Sequence, residues 1–140
     1  MLATMATAGY SKTPLVAKLG IKPDMRVAVI NEPPQLRKLL RPLPRDVNFA
    51  DALRGKKDIV MLFFERRAGL ARKLDAAGRS IFPAGAIWVA WPKKASKVPT
   101  DITEDVVREL VLPKGLVDVK VCAIDETWSG LKVVWRKERR

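Results

Sequence analysis

Four stretches of this chain are runs of largely apolar residues of strand length. Arg26-Val-Ala-Val-Ile30, Asp58-Ile-Val-Met-Leu-Phe-Phe64 and Ala86-Ile-Trp-Val-Ala90 read as strands buried on both faces. Leu116 to Ile124 alternates at first and then becomes apolar. Between these runs, apolar residues recur three and four apart, the period of one helix face. Leu70, Leu74, Ala77 and Ile81 form the clearest such stripe; Ile102, Val106 and Leu110 form another. Strands alternating with helices predict a parallel sheet with helices on both faces and right-handed crossovers.

Local signals place the ends. Thr13-Pro14 predicts an N-cap and first helical residue for a short helix carrying Leu15, Val16 and Leu19, stopped by Gly20. Pro33 or Pro34 opens a second helix, with Leu36, Leu39, Leu40 and Leu43 as its stripe; Pro42 and Pro44 end it. Asp46 to Ala50 is a weak strand. The helix from Glu65 to Ala77 carries Arg72 and Arg79 on its outer side, with Arg66, Arg67 and Lys73 flanking the stripe. Thr103 caps the last helix, with Glu104 and Asp105 in its first turn. The tight turn from Asp125 to Gly130 joins antiparallel neighbours, so the final strand, Leu131 to Trp135, runs against the rest. Numbering six strands along the chain, the expected spatial order is 2-1-3-4-6-5.

Composition sets outer limits. The 140 residues suit one domain spanning 1–140, with a loose tail over 1–11 and a charged one over 136–140. A hydrophobic content of 48% closes a core and excludes a disordered chain. One cysteine, Cys122, excludes an internal disulfide framework and a multi-cysteine metal site, and it reads as a small core residue. No histidine is present, which removes the commonest general base and metal ligand; neither a catalytic residue nor a metal is expected. The first ten residues lack a basic segment and an apolar run, and no window is apolar enough to span a bilayer. The expectation is a cytoplasmic protein without a membrane partner.

Charge narrows the partners. The net charge is +12, made of +6 from residues 1–64, +6 from the much shorter 65–100 and zero from 101–140. Such a field draws small anions, nucleic acid or acidic proteins, though a solvated basic surface has the same composition. Open sheets of this type bind ligands beyond the carboxyl ends of their strands, where strand order reverses. That edge is expected to gather Asn31 and Glu32, then Glu65 and Arg66, then Trp91, Lys93 and Lys94, then Asp125, Glu126 and Trp128. Trp91 beside two ammonium groups suits a base and a phosphate; a Trp packed on its own loop beside solvated lysines is the plainer reading. Asp125 and Glu126 are read as a carboxylate pair, as partners of Lys93 and Lys94, or as ordinary turn residues. The alternative surface is the basic helix with Arg66, Arg67, Arg72, Lys73 and Arg79, suited to weak, salt-sensitive nucleic-acid or acidic-protein binding.

The order of elements resembles the class I methyltransferase fold over residues 13–136. The closing helix, strand and antiparallel partner carry most of the resemblance. Lys22-Pro23-Asp24-Met25-Arg26-Val27 is similar to that fold's run into its first strand. One helix and one strand are missing between the second and third strands, so the match is truncated. Gly9–Pro23, Trp91–Ser96, Thr103–Glu109 and Gly115–Lys132 further resemble the bacterial domain of unknown function 3052 family, which implies the truncated fold and brings no activity with it.

The class I pattern has a glycine-rich loop after its first strand, where bare backbone approaches the methyl donor. Asn31-Glu32-Pro33-Pro34 stands there instead, with two N–H donors missing and a carboxylate added. Asp51 lies where an acidic ribose partner would be, 20 residues after Asn31, but without the glycines the spacing carries little. No cofactor is expected. The sequence therefore favours a Rossmann-like module that binds a small anionic or nucleotide-like ligand without catalysis. Methyl transfer is the less favoured reading.

Overall fold

Ile59 to Phe63 leave no polar side chain to face water, and all five residues are buried. In the computed structural model, which describes residues 13–140, this strand (β3) lies near the middle of a six-stranded sheet. The expected tail over 1–11 lies outside the described residues. The strands are β1 (Arg26–Ile30), β2 (Asn48–Ala50), β3 (Ile59–Phe63), β4 (Ala86–Pro92), β5 (Leu116–Ala123) and β6 (Trp128–Trp135). Their order is β2-β1-β3-β4-β6-β5, with β1 to β4 parallel and β6 antiparallel to both neighbours. This is the expected α/β architecture and strand order.

Helices α1 (Leu15–Lys18) and α2 (Leu36–Leu39) cover one face, and α3 (Arg67–Ile81) and α4 (Glu104–Val111) the other. The alternation of β1 divides its side chains between two cores. Val27 and Val29 join Val16, Leu19, Ile21, Leu36 and Leu40. Ala28 and Ile30 join Leu70, Leu74, Ala77, Ile81, Val107 and Val111. The α3 stripe read from the sequence is fully buried at all four positions.

Three local expectations change. Pro14, with ψ 147°, stands in the cap position of α1, so Thr13 precedes the helix instead of capping it. The other end behaves as read. Gly20 takes φ +79°, its N–H reaches the Ala17 carbonyl, and the Ile21 N–H reaches Val16. Second, α2 is only four residues long, because the prolines before and after leave no room for further turns. Leu36 and Leu40 are buried, but Leu39 and Leu43 stay exposed. Third, β4 runs two residues past Ala90, and β6 begins at Trp128 instead of the expected Leu131, because the two strands pair as far as Pro92 and Trp128; the expected turn from Asp125 to Gly130 is shortened accordingly.

Two caps fix the helices behind the sheet. Thr103 accepts the Val106 N–H at 3.2 Å, as read from the sequence. The first N–H of α3, from Arg67, is satisfied from outside the helix by the Asp101 carboxylate at 2.6 Å. Trp88, fully buried, donates its indole N–H to the Leu19 carbonyl at 3.0 Å and so ties α1 to β4. Residues 137–139 form a 3₁₀ turn, and Arg140 Nε donates to the Trp135 carbonyl at 2.8 Å. Among the described residues no helix is long and apolar enough to cross a membrane.

Leu74 sits at the centre of the α3 interface. Leu74→Ala is expected to lower unfolding free energy by about 2–5 kcal/mol in urea titrations, with an unchanged m-value. A loss within ordinary surface-substitution range would show that α3 does not pack as described.

Candidate functional site

Strand order reverses between β1 and β3, since the chain moves outward from β1 to β2 and then returns to β3 on the other side. A hollow of about 320 Å³ opens at that point, lined by Asn31, Phe63, Phe64, Glu65, Arg66 and Trp128. Asn31 ends β1 in a left-handed conformation, φ +60°, which its short amide side chain tolerates. Its Nδ2 donates to the Phe63 carbonyl at 3.0 Å, which ties the end of β1 to the end of β3. Thr100 Oγ1 donates to the Glu65 carbonyl at 2.7 Å, and the Asp101 N–H reaches the same oxygen at 3.3 Å. These bonds hold the turn that presents Glu65 and Arg66, both exposed. Trp128 meets Phe63 edge to face, centroids 5.2 Å apart. Phe64 packs against the first turn of α3 at Gly69, where a Cβ would stand 3.0 Å from its ring.

A second, larger hollow of about 460 Å³ lies at the same edge of the sheet, between α1, α2 and the β5–β6 turn. Leu15, Leu39, Ala123 and Ile124 supply its apolar wall, and Lys18, Gln35, Asp125 and Glu126 its polar rim. The exposure of Leu39, unexplained by helix periodicity, belongs to this hollow. Cys122, next in the chain to Ala123 of this wall, is buried; burial pushes its thiol pKa up, against the opposing influence of Lys18 and Lys120.

The residues singled out in the sequence are thus divided. Asn31 and Trp128 share the hollow at the reversal with Glu65 and Arg66, all four expected at this edge, Arg66 being read on the basic helix face as well. Asp125 and Glu126 line the other hollow. Asp125 Oδ1 accepts the N–H groups of Thr127 at 2.8 Å and Trp128 at 2.6 Å, so it works as a turn residue and shapes the place where Trp128 begins β6. Glu32 points to Arg37, at 3.1 Å, and lines neither hollow. Trp91 is corrected: it is inside β4, 7% exposed and packed in the α3/α4 core, so its face does not front the cleft. The extended β4–β6 pairing carries it there. Lys93 and Lys94 follow the strand and line neither hollow; the Lys93 N–H donates to the Thr127 carbonyl at 2.8 Å.

The basic residues of α3 do not make one uninterrupted surface. Arg66, Arg67, Arg72, Lys73 and Arg79 are all exposed. Arg67 comes within 3.9 Å of Glu109, and Asp75, on the same helix, holds Lys114 at 2.7 Å. Lys114 lowers the Asp75 pKa, chiefly by hydrogen bonding, so a carboxylate remains ionised amid these cations. Phe64 was not foreseen as a site residue. Its signal was the doubled Phe at the end of an apolar run: alternation buries the first ring and leaves the second past the strand end.

No family model matches the sequence, and no curated protein matches it either. Solved structures do match. A SAM-dependent methyltransferase from Aquifex aeolicus superimposes with a TM-score of 0.60 at 13% identity, covering 85% of this chain and 86% of that one. Magnesium protoporphyrin IX methyltransferase from Synechocystis PCC 6803, solved with bound SAM, gives 0.54 at 10% identity, covering 87% and 74%. The fibrillarin pre-rRNA processing protein of Methanococcus jannaschii gives 0.51 at 11%, covering 89% and 70%. The chain has a methyltransferase-like Rossmann fold. Identities this low establish the architecture and leave activity open.

The loop after β1 decides whether the methyl donor that this fold implies suits these residues. Pro33 and Pro34 have no N–H to offer, and the Leu36 N–H is spent on the Pro33 carbonyl. Helix α2 begins only after Gln35 and has four residues, too few to present a developed dipole. Glu32 brings a carboxylate to the same loop. Asp51 does follow β2 directly, beside β1, but it stands alone in that role. This donor set does not fit the methyl donor.

Asp125→Ala removes the acceptor of two backbone N–H groups and is expected to cost about 1–3 kcal/mol in urea denaturation. A stability equal to that of the unaltered chain would show that the turn does not depend on this carboxylate.

Proposed function

We propose that the protein is a non-catalytic binding module for a small ligand that carries a planar ring and an anionic group. The observation that supports this is the hollow at the point of strand reversal, where an aromatic pair and a guanidinium line the same space. Phe64 and Trp128 offer ring surface of the kind on which a base stacks. Arg66, exposed at the start of α3, supplies a fork of donors for a phosphate or carboxylate. Glu65 and the Asn31 side-chain oxygen supply acceptors for hydroxyl groups. A nucleotide-like compound combines all of these features.

The site takes its cation from Arg66, and Lys93 and Lys94 have no part in it.

Thermal-shift measurements with nucleoside mono-, di- and triphosphates test the proposal. At least one is expected to raise Tm in proportion to the logarithm of its concentration. Arg66→Ala is expected to weaken that response about tenfold or more, while the melting point without ligand stays put. No shift with any of these ligands would refute the reading, as would a shift that Arg66→Ala leaves intact.

A further inference from the structure

We propose that the open face of the β5–β6 hairpin docks onto the phosphate backbone of nucleic acid through Lys18, Lys22, Lys120 and Lys132. In register, Trp88 on β4 stands opposite Lys132 on β6, and Lys132 stands opposite Lys120 on β5. Residues in register share a face of the sheet, at about 4.8 Å per strand. Three side chains therefore line up across the sheet on the α1 side. Trp88 is covered by the end of α1, through its bond to the Leu19 carbonyl. The cover stops there. Lys132 is half-buried, and Lys120 is exposed. Lys22 follows α1 just beyond Ile21 and is exposed beside them; Lys18 closes α1 itself.

Like charges directly opposite on adjacent strands repel and destabilise the hairpin. Among the described residues no carboxylate forms an ion pair with any of these four lysines. The acid of β5 that is nearest in sequence to Lys120, Asp118, is in register with Val133, whose side chain belongs to the α3/α4 core, and is bound by Arg108 at 3.0 Å on that side. The bulge at Val119 separates the two positions, so one strand presents an acid to α4 and a lysine to the open face. Burial, then Lys120 and Lys22, push the Lys132 pKa down. A cationic group held under such conditions gains stability from an external anion.

The shape favours a polyanion with spaced charges. These four residues come from α1, the α1–β1 connection and two strands, and of them only Lys18 lines either of the two hollows described above, so together they form a strip and not a pocket. Lysines serve as point charges for phosphates. The aromatic side chains of β6, Trp128 and Trp135, are half-buried at its two ends and do not flank Lys132, which leaves contact at this strip to the backbone without base stacking. The +12 net charge adds long-range attraction. This surface is separate from the basic residues of α3, where carboxylates already answer part of the charge.

Fluorescence anisotropy with a labelled 20-base-pair DNA duplex, titrated at several salt concentrations, tests the proposal. Lys120→Gln/Lys132→Gln is compared with Arg72→Gln/Arg79→Gln, which removes equal charge from α3. The hairpin variant is expected to bind about tenfold or more weakly at low salt, with a log–log salt slope shallower by about two; the α3 variant is expected to change much less. The hairpin variant is also expected to melt no lower than the parent, because it relieves repulsion. If it fails to fold, Lys22→Gln/Lys120→Gln, both at exposed positions, replaces it with the same expectation. Equal losses in both variants would overturn the proposal, as would absence of binding at low salt. Competition by polyglutamate as effective as by unlabelled duplex would point instead to an acidic protein and overturn it too.

Discussion

Burial of β1, β3 and β4 on both faces is the constraint on which the rest of the structure depends. Parallel strands between two helix layers have no solvated side, so every side chain from Val27 to Ile30, from Ile59 to Phe63 and from Ala86 to Trp91 must be apolar. Burying that surface, at about 25 cal/mol per Å², is the main term that offsets the conformational entropy lost on folding. The helices are placed by what they must cover. The α3 stripe closes one face, while on the other two four-residue helices are joined by the large Trp88 ring, which is buried in the same core and reaches the Leu19 carbonyl. Exposed side chains on the sheet are consequently confined to its strand ends and to the less covered β5–β6 side.

Much of this was legible in the residues. The apolar runs located the central strands, the stripe from Leu70 to Ile81 gave α3, and the short turn after Asp125 gave the antiparallel final strand. Strand order followed from connection length and handedness. What stayed hidden depended on long-range pairing. Trp91 looked like the first residue beyond a strand, because nothing local shows that β6 continues to pair as far as Pro92. Leu39 and Leu43 matched a helical period that the flanking prolines cut short. Lys120 and Lys132 drew no notice, since their opposition exists only in the register of the hairpin. The candidate site was partly legible: Asn31, Glu65, Arg66 and Trp128, all expected at the strand-end edge, line the hollow at the reversal, while Trp91, Lys93 and Lys94 do not.

The architecture and the loop chemistry point in different directions. The sheet and helices match methyltransferases in shape, while the loop after β1 exchanges backbone donors for proline rings and a carboxylate paired to Arg37. Shape is maintained by the packing of β1, β3 and β4, which is indifferent to what that loop carries. Cofactor binding depends on a handful of N–H groups that Pro33 and Pro34 do not possess. A hollow at the strand reversal outlasts such a change, because its walls are Phe63, Phe64 and Trp128, all three of which also pack in or against the two cores.

Isothermal titration calorimetry with S-adenosylmethionine tests this division between scaffold and cofactor loop most directly. The account predicts no saturable heat at any accessible ligand concentration. Saturable one-to-one binding that Asp51→Ala abolishes would contradict it, because the loop after β1 would then hold the methyl donor in spite of its prolines.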